Sequence, residues 1–365
     1  MPKVGELIEE LNRWVPFMMQ ESYDNSGVQI GFYDHDISGV IITLDLSHNV
    51  LAEAIRVGAN VIISHHPLLF KGIKQIHTHN ERGRIIIEAI QNHISIISIH
   101  TNIDNFKLGV NFDLGRRLGL DNLKVLQPLN GKLKKLVVFV PVQHAENVRF
   151  ALFNSGCGSI GNYDSCSFNT EGLGSFKGQD STNPYVGQPN ILHFEQEVKI
   201  ETIVTDWNLE GAIRAMKKAH LYEEVAFDVI PLENDNLLHG AGMVGDLDQE
   251  LDFFEFLSKV KEVLNIRMIK HSANPKSTVK RVAFCGGSGS FLISSAIKSG
   301  ADLFITGDLK YHDFTENTSP MVLADAGHWE TEQFVPELIA THISQKFSNF
   351  AVLIAQSHQN PVFCY

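Results

Sequence analysis

Apolar and polar positions follow two rhythms along this chain. Val4, Leu7, Ile8, Leu11, Trp14 and Val15 recur at helical spacing until Pro16 ends the pattern. Short β-branched runs follow at 39–44, 59–63 and 94–99. Helical patterns lie between and after them at 49–57, 84–91 and 110–118, the first closed by Gly58 and the last by Gly119. Such alternation predicts parallel crossovers in an α/β layer. From 135 the rhythm changes to strand 135–142, helix 144–155, a Gly/Ser/Asn-rich stretch 156–190, strand 195–205, helix 208–219 and strand 225–231. That order predicts a ferredoxin-like α+β domain at 132–235. Its glycine-rich segment is too long for a simple connection and is expected to hold hairpin strands or a binding loop.

After 236 the α/β alternation resumes. Strands are predicted at 241–244, 279–285, 301–306, 321–324 and 351–355, and helices at 253–264, 291–298 and 332–347. The expected architecture is one α/β domain built from 1–131 and 236–365, with the ferredoxin-like domain inserted. A chain of 365 residues exceeds the size at which single cores stop growing, so two domains suit its length.

Composition narrows the function classes. The chain is 44% hydrophobic and 20% charged, with 30 Lys+Arg against 42 Asp+Glu and a net charge of −12. That balance argues against non-specific binding to nucleic acid or anionic membranes. No apolar run reaches the length of a membrane helix, and the first residues carry no signal-peptide core, so a cytoplasmic protein is expected. Cys157, Cys166, Cys285 and Cys364 are scattered without metal-knuckle spacing, whereas 17 histidines turn any metal site towards nitrogen and oxygen ligands.

Chemistry gathers where apolar runs stop. The run Val61-Ile62-Ile63 ends in Ser64-His65-His66-Pro67. Two imidazoles there suit a metal site at the carboxyl edge of a sheet, and a polar loop start is the plainer alternative. The run at 94–99 ends in His100-Thr101-Asn102-Ile103-Asp104, whose aspartate could bridge two cations or merely cap a turn. In His328-Trp329-Glu330-Thr331-Glu332 the first and last residues share a helix face, as ligands or as part of a capped helix start. In one parallel sheet these strand ends share a rim, so His65, His66, Asp104, His328 and Glu332 are expected around two ions sharing Asp104. Mixed nitrogen and oxygen ligands suit Zn, Mn, Fe or Co. Pro67 marks the bend that lets adjacent His65 and His66 converge. Asp308, Tyr311 and His312 follow another strand end, as supporting or acid–base groups or as a polar turn. Gly286–Ser290 could cradle a phosphate, and His77 and His79 sit in a polar loop expected to be exposed.

The segments Ser64–Pro67, His100–Asp104, Thr306-Gly307-Asp308 with Tyr311-His312, and Gly327–Glu332 together resemble the NIF-three-like family. Its bacterial members are widely labelled GTP cyclohydrolase 1 type 2 homologs. Tyr23-Asp24-Asn25-Ser26-Gly27 also resembles a family segment, one that usually begins with Trp. The resemblance implies a dinuclear site on His65, His66, Asp104, His328 and Glu332, with two divalent ions per subunit, zinc first among them. It further implies a toroidal homohexamer with metal sites facing an internal cavity, and an insert similar to the PII and CutA trimers at 132–235. Asp308, Tyr311 and His312 are the expected catalytic residues. The function expected is a metal-dependent hydrolase acting on a nucleotide or other phosphorylated small molecule, with no nucleic-acid or membrane partner. The alternative is a metal-binding regulatory or metal-chaperone protein without turnover.

Overall fold

The computed structural model describes residues 1–273 and 276–363, so Cys364 lies outside the described residues. The chain forms two compact units, Met1–Gln127 with Leu238–Tyr365, and Pro128–Leu237.

The first unit contains two sheets. One has five strands in the order Gly27–Ile30, Ser95–Ser98, Val61–Ser64, Gly39–Thr43, Ala351–Ile354. The last four are mutually parallel and Gly27–Ile30 is antiparallel. Alternate residues face opposite sides, which is why its β-branched runs are continuous. Val40, Ile42, Val61, Ile63 and Ile97 pack against helices Val4–Trp14 and Val335–Lys346. Ile41, Ile62 and Ile96 pack against His48–Val57 and Glu81–Gln91 on the other side.

The second sheet has six strands, Lys270–His271, Val322–Asp325, Leu303–Gly307, Thr278–Ser288, Asn236–Asp252 and Asp121–Leu129. Its three middle-to-left strands, Val322–Asp325, Leu303–Gly307 and Thr278–Ser288, are parallel. Lys270–His271 runs antiparallel to Val322–Asp325, and Asn236–Asp252 antiparallel to Thr278–Ser288. The helix Phe253–Leu264 covers one face through Phe253, Phe256, Leu257, Val260 and Leu264, while Leu292 and Ala296 pack on the other.

Two expectations change here. The strand ends bearing histidines and carboxylates belong to two sheets rather than one rim. The long helix expected at 332–347 is two helices, His328–Glu332 and Val335–Lys346.

The second unit runs Leu133–Pro141, Ala145–Asn154, Ser167–Phe176, His193–Thr205, Asp206–Ala219, Phe227–Leu232, a β-α-β-β-α-β order. Its four strands lie in the spatial order Ser167–Phe176, His193–Thr205, Leu133–Pro141, Phe227–Leu232, all antiparallel to their neighbours. Leu136, Val138, Val140, Ile200 and Val204 meet Val148, Leu152, Ala212 and Met216 from its two helices. The glycine-rich stretch holds one strand, Ser167–Phe176, and a loop.

Candidate metal centre

Strand register sets the first half of the site. Ser64 and Ser98 are paired, so the residues after them leave the sheet side by side. The Nδ1–H of His65 donates to the carbonyl of Ile99 at 2.7 Å, which leaves Nε2 as a bare lone pair. His65 is fully buried and that Nε2 has no hydrogen-bond partner among the described residues. The chain turns at Pro67 under a Ser64 Oγ–H bond to the His66 carbonyl, 2.8 Å. The rings of His65 and His66 thereby converge, with centroids 5.0 Å apart.

The second half comes from the other sheet. Asp325 ends a strand, Gly327 turns the chain at φ +91°, and the helix His328–Glu332 begins. His328 and Glu332 lie one turn apart, with His328 Nε2 3.1 Å from Glu332 Oε2. Gly287, at φ +63°, supplies the space: a Cβ there would lie 2.1 Å from Glu332 Oε1. The Gly287 N–H donates to Thr331 Oγ1 at 2.9 Å and fixes this helix against the strand end. Within Gly286–Ser290, Gly287 thus makes room for a carboxylate. The helices that follow, Ser290–Leu292 and Ile293–Lys298, are too short to offer a phosphate a strong dipole.

The ligand atoms meet closely. His66 Nε2 lies 3.3 Å from His328 Nε2 and 3.2 Å from Glu332 Oε2. His65 Nε2 lies 3.8 Å from Asp104 Oδ1 and 3.7 Å from Glu332 Oε1. Three groups could each hold an ion: His65 with His66 and His100, and two that include carboxylates, His66 with His328 and Glu332, and His65 with Asp104 and Glu332. Glu332, rather than Asp104, belongs to both. Its buried Oε2 makes no hydrogen bond among the described residues despite two nearby imidazoles. Two orphaned atoms of mixed type, His65 Nε2 and Glu332 Oε2, beside the His66 and His328 imidazoles fit divalent ions.

Each imidazole is held from behind. His66 Nδ1–H donates to Asp45 at 2.8 Å and His328 Nδ1–H to Asp308 at 2.7 Å. Such outer bonds fix the tautomer and aim Nε2 inwards. Burial alone would lower His66 and His328, but Asp45 and Glu332 push the former up to about 10, and Glu332 and Asp308 the latter to about 9. Burial lowers His65. Burial and the Glu332 charge raise Asp104, while the surrounding imidazoles overcome burial and hold Glu332 low.

Among the expected catalytic residues, Asp308 buttresses His328. Tyr311, 76% exposed, and His312 stack edge to face on the surface. His77 and His79 are exposed. His100 stands out instead. Its Nδ1–H donates to Asp24 at 2.7 Å, and its ring lies 5.2 Å from His65 and 5.4 Å from His66. Asp24 also accepts from Ser26 Oγ, Thr101 N and Thr101 Oγ1, so the pair is rigid and Asp24 is held low, those donors and His100 outweighing burial. His100 was visible as a strand-end histidine, but no local signal tied it to Asp24, 76 positions away.

The sequence pattern of the Duf34/NIF3 (NGG1p interacting factor 3) family matches residues 2–361. The chain belongs to that family. A protein from Halalkalibacterium halodurans named GTP cyclohydrolase 1 type 2 homolog is 36% identical over 360 residues, 97% of each chain. A Bacillus subtilis protein of the same name is 35% identical over 98% of this chain and 97% of its own. Among solved structures, a Bacillus cereus protein related to NIF3 superposes with a TM-score of 0.86 at 38% identity, covering 100% of this chain and 99% of that one. In this NIF3-family chain no helix among the described residues is long and apolar enough to cross a membrane.

Proposed function

We propose that this NIF3-family chain is a metal-dependent hydrolase with two divalent ions bound by His65, His66, Asp104, His328 and Glu332. The carrying observation is the 3.3 Å approach of His66 Nε2 to His328 Nε2 beside a buried Glu332 oxygen without a hydrogen bond. Two imidazole lone pairs so close repel unless a cation or proton lies between them, and the outer carboxylates leave only Nε2 to meet it.

Zinc is the first expectation, with Mn, Fe or Co the other members of the class that such ligands accept. When bound, a pair of ions acidifies water and stabilises charge on a substrate oxygen. The chain itself supplies orientation and proton handling. Asp45 and Asp308 hold two ligand rings, and Glu332 is shared. The His100–Asp24 pair faces the cluster with a free Nε2 positioned to accept a proton from water or return one to a leaving group.

The substrate class is a nucleotide or another phosphorylated small molecule. The names of the Halalkalibacterium and Bacillus relatives support a GTP cyclohydrolase-like version, hydrolytic opening of a guanine ring. The metal-binding role belongs to residues 1–131 and 236–365. Residues 132–235 are a PII/CutA-like insert, a reading supported by their β-α-β-β-α-β order. The family resemblance supports a cytoplasmic homohexamer.

The test is turnover of GTP and a panel of nucleotides and phosphoesters by metal-replete protein, against Asp104→Asn and a chelator control. Turnover lost in the variant and with chelator supports the hydrolase. Metal bound with no turnover above the variant favours the regulatory or chaperone role.

A further inference from the structure

Two cavities meet at the centre, and they differ in chemistry. One, of about 810 Å3, has His66 and His328 in its wall together with Ser288, Ser290, Lys270 and Lys310. The other, of about 210 Å3, is lined by His100, Asp104, His328 and Glu332 and by two aromatic rings, Tyr23 and Phe291. Ser288 and His328 line both, so the two cavities share a wall at the ligand cluster.

The charged groups of the larger cavity are mostly matched. Asp45 holds His66, Asp308 holds His328, Asp325 pairs with Lys270 at 3.4 Å, and Glu330 accepts from Asn360 at 2.8 Å. Lys310 differs. Its backbone N–H is fixed by Asp313 at 2.7 Å, while its exposed ammonium has no carboxylate within ion-pair distance among the described residues. An unmatched cation in the same cavity wall as the hydroxyls of Ser288 and Ser290 suits a phosphate-type anion.

The smaller cavity has the opposite character. Tyr23 is 61% and Phe291 55% exposed, although both belong to a cavity with buried polar walls. Phe70 extends this rim, its ring 6.4 Å from Tyr23 and 6.1 Å from His100. Exposed rings around a concave polar site offer faces on which a planar heterocycle can stack.

We propose that the substrate is a mononucleotide-type molecule lying across the centre, its phosphate at Lys310 and its planar base at Tyr23 and Phe291. This orientation rests on the small-molecule hydrolase reading but concerns binding, so the two can fail separately.

Isothermal titration of the metal-loaded full chain with guanosine, GMP, adenosine, AMP and inorganic phosphate tests it. Wild type binds each monophosphate more tightly than its nucleoside. Lys310→Ala weakens monophosphate binding about tenfold and leaves the nucleosides unchanged, as loss of one charge-assisted contact predicts. Lys310→Arg restores most of the difference. Tyr23→Ala and Phe291→Ala weaken nucleoside and nucleotide alike and leave inorganic phosphate unaffected. Wild type that does not distinguish nucleotide from nucleoside would overturn the proposal. So would a Lys310→Ala variant that keeps full affinity, loses both ligand types equally or loses bound metal. The expected binding pattern without turnover on any compound would sink the hydrolase reading and leave this orientation standing.

Discussion

His66 and His328 are 262 positions apart in sequence, yet their Nε2 atoms lie 3.3 Å from each other. One leaves the parallel run of the five-stranded sheet and the other follows a strand of the six-stranded sheet. The centre therefore couples the two sheets of this unit, and its occupancy bears on stability as well as chemistry.

Removing metal is the first consequence. A ligand at a hundred times its Kd stabilises the folded state by about 2.7 kcal/mol. For a unit of this size each kcal/mol moves Tm by roughly 2–4 °C. Differential scanning calorimetry is expected to show a fall of about 5–10 °C on dialysis against a chelator, reversed by re-addition of the ion. An unchanged Tm would mean that the centre is not loaded.

The carboxylates behind the ligands should matter through affinity. Asp45→Asn and Asp308→Asn replace charged acceptors for His66 and His328 by neutral ones. Loss of such outer partners costs about 10–100-fold in metal affinity. Competition with a chromophoric chelator reads this out, while circular dichroism remains that of wild type.

Gly287 has two reasons to be glycine. Its φ is +63°, and a Cβ would sit 2.1 Å from Glu332 Oε1. Gly287→Ala is expected to cost on the order of 1–3 kcal/mol from backbone strain. It should also displace Glu332, so urea denaturation and metal content fall together. Loss of stability with full metal content would show that Glu332 tolerates the methyl group.

Acid stability has a local source at Asp302. Burial would raise this carboxyl, but the N–H groups of Arg281 and Lys280, at 3.0 and 3.1 Å, and an ion pair with Lys276 hold it below its ordinary 3.8. A lowered folded-state pKa means stabilisation that is full above the unfolded value and lost as pH falls through the folded one. Asp302→Asn is expected to lose about 1–3 kcal/mol at neutral pH and to show a shallower decline below pH 3.8 than wild type. Urea midpoints against pH measure both, and parallel slopes would contradict the assignment.

Much of the centre was legible because its signals are local. A β-branched run that stops at two histidines and a proline needs no partner to be read, and His328 with Glu332 declares itself by helical spacing. Sheet membership was not legible. A continuous apolar run such as 61–63 or 322–324 looks the same whichever sheet the strand joins, so sequence alone places these strand ends on one rim.

The strand Asp121–Leu129 carries little local signal because four of its nine residues are exposed and Pro128 interrupts it, as suits an edge. Asn236–Asp252 was read as four residues because Gly240, Gly242 and Gly245 break its apolar pattern. Gly287 looked like a phosphate loop because a glycine's local signature is the same whether it admits a ligand or a neighbouring carboxylate. Asp24 and His100 are joined only by tertiary contact, which no local pattern reports.

A centre that holds two ions, with Glu332 serving both and Asp104 one, fixes how many ions each variant can keep. Inductively coupled plasma mass spectrometry of reconstituted wild type, Asp104→Asn and Glu332→Gln measures the metal-to-chain ratio. About two ions per chain are expected in wild type, one in Asp104→Asn and fewer than one in Glu332→Gln. A wild-type ratio near zero, or a Glu332→Gln variant that keeps both ions, would contradict it.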